Sequence, residues 1–276
     1  MQKLLSTAEF EEAIGVSESS ARRLTDAGDI RVHRTKGGHR KIPVEEAIRY
    51  LREQGTQPQN PQLLGISVLD DPAHGSFYDA LVEGDSDQAV ALIQTMYLSG
   101  MKTSDMFDGP VLDAFVKIGE RFPDDKRSIF IEHRAVIIAM RSLMYLRTLM
   151  PPVNGEAPKA ICAAPAGDPY LLSCLMCSLV LHEVGFQEIN LGPDTPVDIL
   201  IDAVRDERPQ LVSLSITNVI RSKTQVAEIE KLDRVARDHQ CMLVVGGNNA
   251  DSLELPHIQR GRSMAHLQSL AVKLIG

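Results

Sequence analysis

Two stretches that can continue neither a helix nor a buried strand divide this chain of 276 residues into three segments. Gln54 to Gly65 (QGTQPQNPQLLG) is rich in Gln, Pro and Gly and carries no hydrophobic period. Met150 to Pro158 (MPPVNGEAP) sets three prolines and a glycine behind a helical pattern, and proline both removes a backbone donor and clashes with the preceding turn. A chain of this length has room for two or three units of ordinary size, each with its own core. The expected organisation is a first segment over 1–54, a linker over 55–74, a second segment over 75–150, a short linker over 151–158 and a third segment over 159–276.

Within the first segment the spacing predicts helices over Thr7–Ile14, Glu18–Ala27 and Val44–Gln54, a turn at Gly15 and a hairpin around Lys36-Gly37-Gly38. Ser17 is placed to cap the second helix, and Pro43 sits where a helix start tolerates proline. The second segment has apolar residues at helical spacing, such as Ala89-Leu92-Ile93-Met96-Tyr97 and Val136-Met140-Leu143-Met144, which predicts a four-helix bundle. The third alternates short apolar runs (Lys159–Ala164, Glu188–Leu191, Leu211–Ile216, Met242–Val245) with helical patterns near Leu171–Val184, Val197–Asp206 and Lys223–His239. Such alternation implies a parallel sheet, whose ligands bind outside the carboxyl ends of the strands. Those ends are the loops 166–170, 192–195, 217–221 and 246–249. The fold class is multidomain, α plus α/β.

No run approaches the roughly 20 apolar residues of a membrane span. The N-terminus has no apolar core with a cleavage site, because Glu9, Glu11 and Glu12 interrupt the sequence almost at once, so the expected location is the cytoplasm. The four cysteines, Cys162, Cys174, Cys177 and Cys241, sit in apolar surroundings and read as reduced core residues. Cys174 and Cys177 fall on one apolar helical face, where packing is the expected role.

A net charge of −8 argues against a protein that coats nucleic acid along its whole surface, yet the charge is unevenly distributed. Between Arg22 and Lys41 stand Arg22, Arg23, Arg31, Arg34, Lys36, Arg40 and Lys41, against Asp26 and Asp29 alone. A helix that reads the major groove needs polar and basic side chains on its outer face and apolar ones behind. Ser19, Ser20, Arg22 and Arg23 meet the first need, and Ala21 and Leu24 the second. The hairpin RVHRTKGGHRKI places Arg34, Lys36, His39, Arg40 and Lys41 on an exposed loop suited to phosphates. The phrase LSTAEFEEAIGVSESSARRLTDAGDI, the wing GGHRKIP and the closing amphipathic helix together resemble the MerR and excisionase-like winged helix-turn-helix family. The resemblance covers about a fifth of the chain and implies binding to a double-stranded DNA operator. No long heptad helix follows Gln54, so homo-oligomer formation, as a dimer or tetramer, falls to the later segments.

Bundle and sheet together resemble the cobalamin-binding module, and the whole chain looks like the CarH/LitR family of light-responsive repressors. Phe122, a nine-residue spacer and Glu132-His133 match that family's aromatic-x9-Glu-His pattern. Gly192-Pro193-Asp194-Thr195-Pro196, Ser213-Leu214-Ser215 with Thr217, and Gly246-Gly247 stand where its ligand loops stand. The family implies an oligomer held on DNA by adenosylcobalamin and released by light. The ligating positions depart from it. In the stretch aligned with the family's Asp-x-His-x-x-Gly motif, Asp168 is kept, Tyr170 replaces the cobalt-ligating histidine and Ser173 replaces the glycine. Phe122 replaces a tryptophan, and Pro123 a second histidine. A neutral phenol is a poor cobalt ligand at physiological pH. These changes predict that cobalamin is not bound and that the fold has outlived its cofactor chemistry.

Two other inputs are compatible with the sequence. One is another flat tetrapyrrole, such as a bilin or haem, with Tyr170, Cys162, His133 or His182 as ligands. The other is a partner protein such as an antirepressor or photoreceptor. Glu132-His133 has the chemistry of an acid–base pair, but no nucleophile or metal-ligand set accompanies it, so catalysis is not expected. Three alternatives remain: a repressor that binds cobalamin without a protein ligand, a cobalamin-carrier-like subunit of a methyltransferase, and an adaptor with little affinity for DNA. A carrier subunit needs a catalytic barrel or partner for which this chain has no length, and the charged wing argues against the adaptor.

Overall fold

The computed structural model describes residues 3–67, 75–121, 126–218, 223–253 and 258–276. The chain divides into two compact units, one comprising 1–102 and 110–152 and the other 103–109 and 153–276.

The first unit opens with β1 (Leu4–Ser6) and α1 (Thr7–Ile14). Ser6 caps α1 through a reciprocal pair of bonds: its hydroxyl accepts from the Glu9 N–H, and the Glu9 carboxylate accepts from the Ser6 N–H. Gly15 then ends the helix at φ 74°, a left-handed conformation that favours glycine, and Ser17 caps α2 (Glu18–Ala27). The hairpin β2 (His33–Arg34) and β3 (Arg40–Pro43) follows, with β3 pairing antiparallel to both β1 and β2. After it, α3 (Val44–Gln54) closes the small fold. Leu5, Phe10, Ala21, Ile30, Ile42, Ile48 and Leu51 form its core. These three helices agree with the sequence reading to the residue.

The bundle helices are α4 (Phe77–Glu83) and α5 (Ser86–Leu98). Next comes α6 (Thr103–Met106), a single turn belonging to the second unit, and then α7 (Leu112–Arg121) and α8 (Lys126–Leu149). Gly109 breaks the helical path at φ −106°, ψ −105°, and Pro110 follows it. Between α3 and α4, Pro61–Leu64 form a 3-10 turn, Leu64 and Ile66 are buried, and Gln59 and Asn60 donate their N–H groups to the Ala13 carbonyl.

The second unit is a five-stranded parallel sheet in the order β5-β4-β6-β7-β8. Its strands are β4 (Lys159–Pro165), β5 (Gln187–Thr195), β6 (Leu211–Ser215), β7 (Met242–Gly246) and β8 (Gln259–Gly261). Its helices are α9 (Leu171–Val184), α10 (Val197–Glu207), α11 (Lys223–Asp238) and α12 (Met264–Ile275), with α9 packing on α12 and α10 on α11. Ile161, Ala163, Val212, Leu214 and Val245 pack with Leu200, Ile229 and Leu232 in its main core. The chain leaves β4 for β5 on one side and returns to β6 on the other, so the order reverses at β4 and the crevice opens beside its carboxyl end. The 103–109 segment is bound into this unit by its polar groups. Asp108 accepts the N–H groups of Met264 and Ala265 at the start of α12, both at 2.8 Å, and Thr103 donates twice to Glu183, also at 2.8 Å.

Candidate nucleic-acid interface and sheet-end loops

On α2 the apolar side turns inward, with Ala21 fully buried, while Ser19, Arg22 and Arg23 are exposed. Ser20 is half-buried because it belongs to the helix cap, its N–H and hydroxyl both lying near Ser17 Oγ. The hairpin tip is closed by the Gly38 N–H on the Thr35 carbonyl and by the His39 N–H on Thr35 Oγ1. Arg34, Lys36 and His39 are exposed there, and Lys41 is half-buried. Among the described residues Arg23, Arg34 and Lys36 make no ion pair. Helix and hairpin thus present exposed cations from one small fold.

Arg40 departs from the expectation. Its side chain is only 23% exposed, because Nη2 reaches Asp26 Oδ1 at 2.5 Å and Nη1 donates to Thr25 Oγ1 at 2.6 Å. It is therefore not a loose cation on the wing. Asp26 and Thr25 were not legible as its partners in the sequence, since the bond joins residues fourteen apart. A second anchored carboxylate is Glu46 on α3, which accepts from the Arg31 N–H at 3.0 Å and from Arg49 at 2.9 Å. Burial works to raise its carboxyl, but these bonds and the two cations outweigh it and hold the group below its ordinary value.

At the carboxyl end of the sheet, Asp168 is buried at 2% exposure, and among the described residues its carboxylate is satisfied by backbone amides. Oδ2 accepts the N–H groups of Thr217 at 2.5 Å and Asn218 at 2.9 Å, and Oδ1 accepts that of Tyr170 at 3.3 Å. Side-chain amides finish the loops: Asn218 donates to the Gly167 carbonyl, Gln225 to that of Ala166 and Asn249 to that of Thr217. Asp168 and the Thr217 backbone are thus brought together. Tyr170, at the start of α9, is 45% exposed, and Ser173 donates its hydroxyl to the Tyr170 carbonyl. Thr195, Ser213 and Ser215 are buried. The protein itself requires the glycines at the end of β7: a Cβ at Gly246 would meet the Gly261 carbonyl oxygen at 2.8 Å, and one at Gly247 would strike that of Ile216. Glu132 and His133 are exposed on α8 in the first unit, and Phe122 and Pro123, with residues 219–221 of one loop, lie outside the described residues. Two of the four tetrapyrrole ligand candidates are closed off. Cys162 is wholly enclosed in β4, and buried His182 has its Nδ1 2.7 Å from Glu188. Among the described residues no cluster of three or more His, Cys, Asp or Glu is arranged to hold a metal ion, and no helix is long and apolar enough to cross a membrane.

Residues 4–55 match the family described as Helix-turn-helix domain, and residues 75–147 match the B12 binding domain. The chain joins a helix-turn-helix domain to a B12 binding domain. It is also 20% identical over 179 residues to "Trimethylamine corrinoid protein 1" of Methanosarcina acetivorans, an alignment covering 61% of this chain and 80% of that one. Among solved structures it is similar to the monomethylamine corrinoid protein of Methanosarcina barkeri, with TM-score 0.54, 17% identity and coverage of 72% of this chain and 96% of that one. At that identity the likeness shows the fold. The match to a B12 binding domain leans against the expectation that cobalamin is not bound. The residues at the sheet's rim nonetheless supply no nitrogen ligand where the resemblance places one. Tyr170 offers a phenol, and the Asp168 carboxylate, committed to three backbone amides, has no histidine beside it to orient among the described residues.

Proposed function

We propose that this chain is a transcriptional repressor of a light-response or related sensory pathway, not an enzyme, which grips double-stranded operator DNA as a homo-oligomer. The observation that carries the DNA-binding part is the joint display of Ser19, Arg22 and Arg23 on α2 with Arg34, Lys36 and His39 on the hairpin, within the segment matching a helix-turn-helix domain. Exposed guanidinium and ammonium groups neutralise phosphates and release counterions, so affinity should fall steeply with salt. The B12-binding-like module acts as the sensor. Tyr170 in place of the ligating histidine supports an input other than cobalt ligation, either a different chromophore or a partner protein that relieves repression.

A second reading is supported by the match over residues 75–147: the module holds a corrinoid with no protein ligand to cobalt. The two readings separate in one experiment. Protein produced with and without supplied cobalamin is purified, its absorbance is recorded, and its retention of duplex DNA in a gel is titrated with salt. The first reading expects no stoichiometric corrinoid band and a steep loss of DNA binding with salt. A corrinoid band of one per chain would establish the second reading, and DNA retention independent of salt would refute the binding claim itself.

A further inference from the structure

Resting on the DNA-binding reading, we infer that Arg40 is a positioning residue, a brace between the wing and the recognition helix, and not one of the groups that neutralise phosphate. Its guanidinium spans two acceptors on the last turns of α2: Nη1 donates to Thr25 Oγ1 at 2.6 Å and Nη2 to Asp26 Oδ1 at 2.5 Å. Both acceptors are engaged within α2 as well. The Thr25 hydroxyl donates to the Arg22 carbonyl at 2.9 Å, and Asp26 Oδ2 lies 3.7 Å from Arg22 Nε. Arg40 is the first residue of β3 and pairs directly with Arg34 of β2, so the two guanidinium stems share one face of a two-residue ladder. Like charges directly opposite repel, and the Asp26 carboxylate removes that repulsion by engaging Arg40. The consequence is a division of labour. Arg34, exposed and without an ion pair among the described residues, is the cation offered to the backbone of the duplex, while Arg40 fixes the angle at which Arg34 and Lys36 are offered.

The planar fork matters here more than the charge. A lysine at position 40 keeps the positive charge but lacks the planar fork whose two nitrogens meet Thr25 and Asp26 separately. The test uses the full chain and a mixed-sequence DNA duplex titrated across a salt series, with amide exchange of the hairpin followed in parallel. Arg34→Ala is expected to reduce the slope of log affinity against log salt by about 1. Arg40→Lys and the charge-neutral, near-isosteric Thr25→Val are each expected to lower affinity about tenfold with the slope unchanged, the order of a lost charge-assisted hydrogen bond. Both should also speed exchange of the Thr35 and His39 amides. Full affinity in Arg40→Lys, or an Arg40→Ala slope reduced as far as that of Arg34→Ala, would overturn the brace. Should the wild-type chain show no salt-dependent affinity, the DNA-binding reading falls instead, and hairpin exchange in Arg40→Lys still decides whether the brace exists.

Discussion

A carboxylate and a group of thiols show how position alone sets the chemistry of a side chain in this protein. Glu46 is held below its ordinary value of 4.5 although burial pushes the other way, because the Arg49 side chain and the Arg31 N–H both donate to it. A carboxyl lowered in the folded state contributes stability above its unfolded value, and that contribution is lost as the pH falls through the lowered one. Glu46→Gln is accordingly expected to cost about 1–2 kcal/mol near neutral pH. The gap between the two melting temperatures should narrow on acidification below the ordinary carboxylate range. A gap that stays constant with pH would show that Glu46 matters only by shape. The cysteines respond to burial in the opposite sense to reactivity: it pushes Cys174 up to about 12 and Cys177 up to about 11. Thiolate, not thiol, is the nucleophile, so iodoacetamide at mildly alkaline pH should leave both unlabelled in the native protein and modify them once urea unfolds it. Rapid native labelling of either would contradict the packing role read from their shared helical face.

At the scale of elements, what was legible in the sequence is what local chemistry determines. Helices α1, α2 and α3 could be read because serine caps, a glycine stop and a proline start are encoded within a few residues of each boundary. The inner strands β4, β6 and β7 could be read because their apolar runs are buried nearly throughout. Elements that exist only through distant partners were not. β1 is three residues long and exists through its pairing with β3, some 37 residues on, while β8 (QRG) has no apolar period and is defined by β7. α12 was missed too, and so was its capping by Asp108 from the far side of the sequence. The interface follows the same rule: its exposed cations could be named from composition, but the role of Arg40 depends on a tertiary distance. For α12 the expected consequence is that Asp108→Ala destabilises the chain by about 1 kcal/mol, as loss of a capping carboxylate does. Urea unfolding monitored by circular dichroism measures it, and an unchanged midpoint would mean that Ser263, whose hydroxyl accepts the His266 N–H at the start of α12, suffices as cap.

On the scale of the whole molecule, the helix-turn-helix fold and the bundle belong to one compact unit, and named contacts join them. Arg52 at the end of α3 lies 3.5 Å above the Tyr97 ring and donates to the carbonyls of Tyr97, in the last turn of α5, and of Met101 just beyond it, while the Ser67 N–H donates to the fully buried Gln94. Cation–π contact and carbonyl capping together hold the end of α3, from which the connecting segment departs, against the end of α5, and the Gln94 bond holds the segment itself. Arg52→Ala should therefore speed thermolysin cleavage within Leu63–Ile66 several-fold relative to wild type, because cleavage requires local opening of that segment. Equal cleavage rates would show that the segment is held elsewhere. In the second unit the feature with the widest reach is the Asp168 carboxylate, fastened to the amides that follow β6. One side chain thereby ties the loop that follows β4 to the loop that follows β6, so that a shift in the path of either is passed to the other.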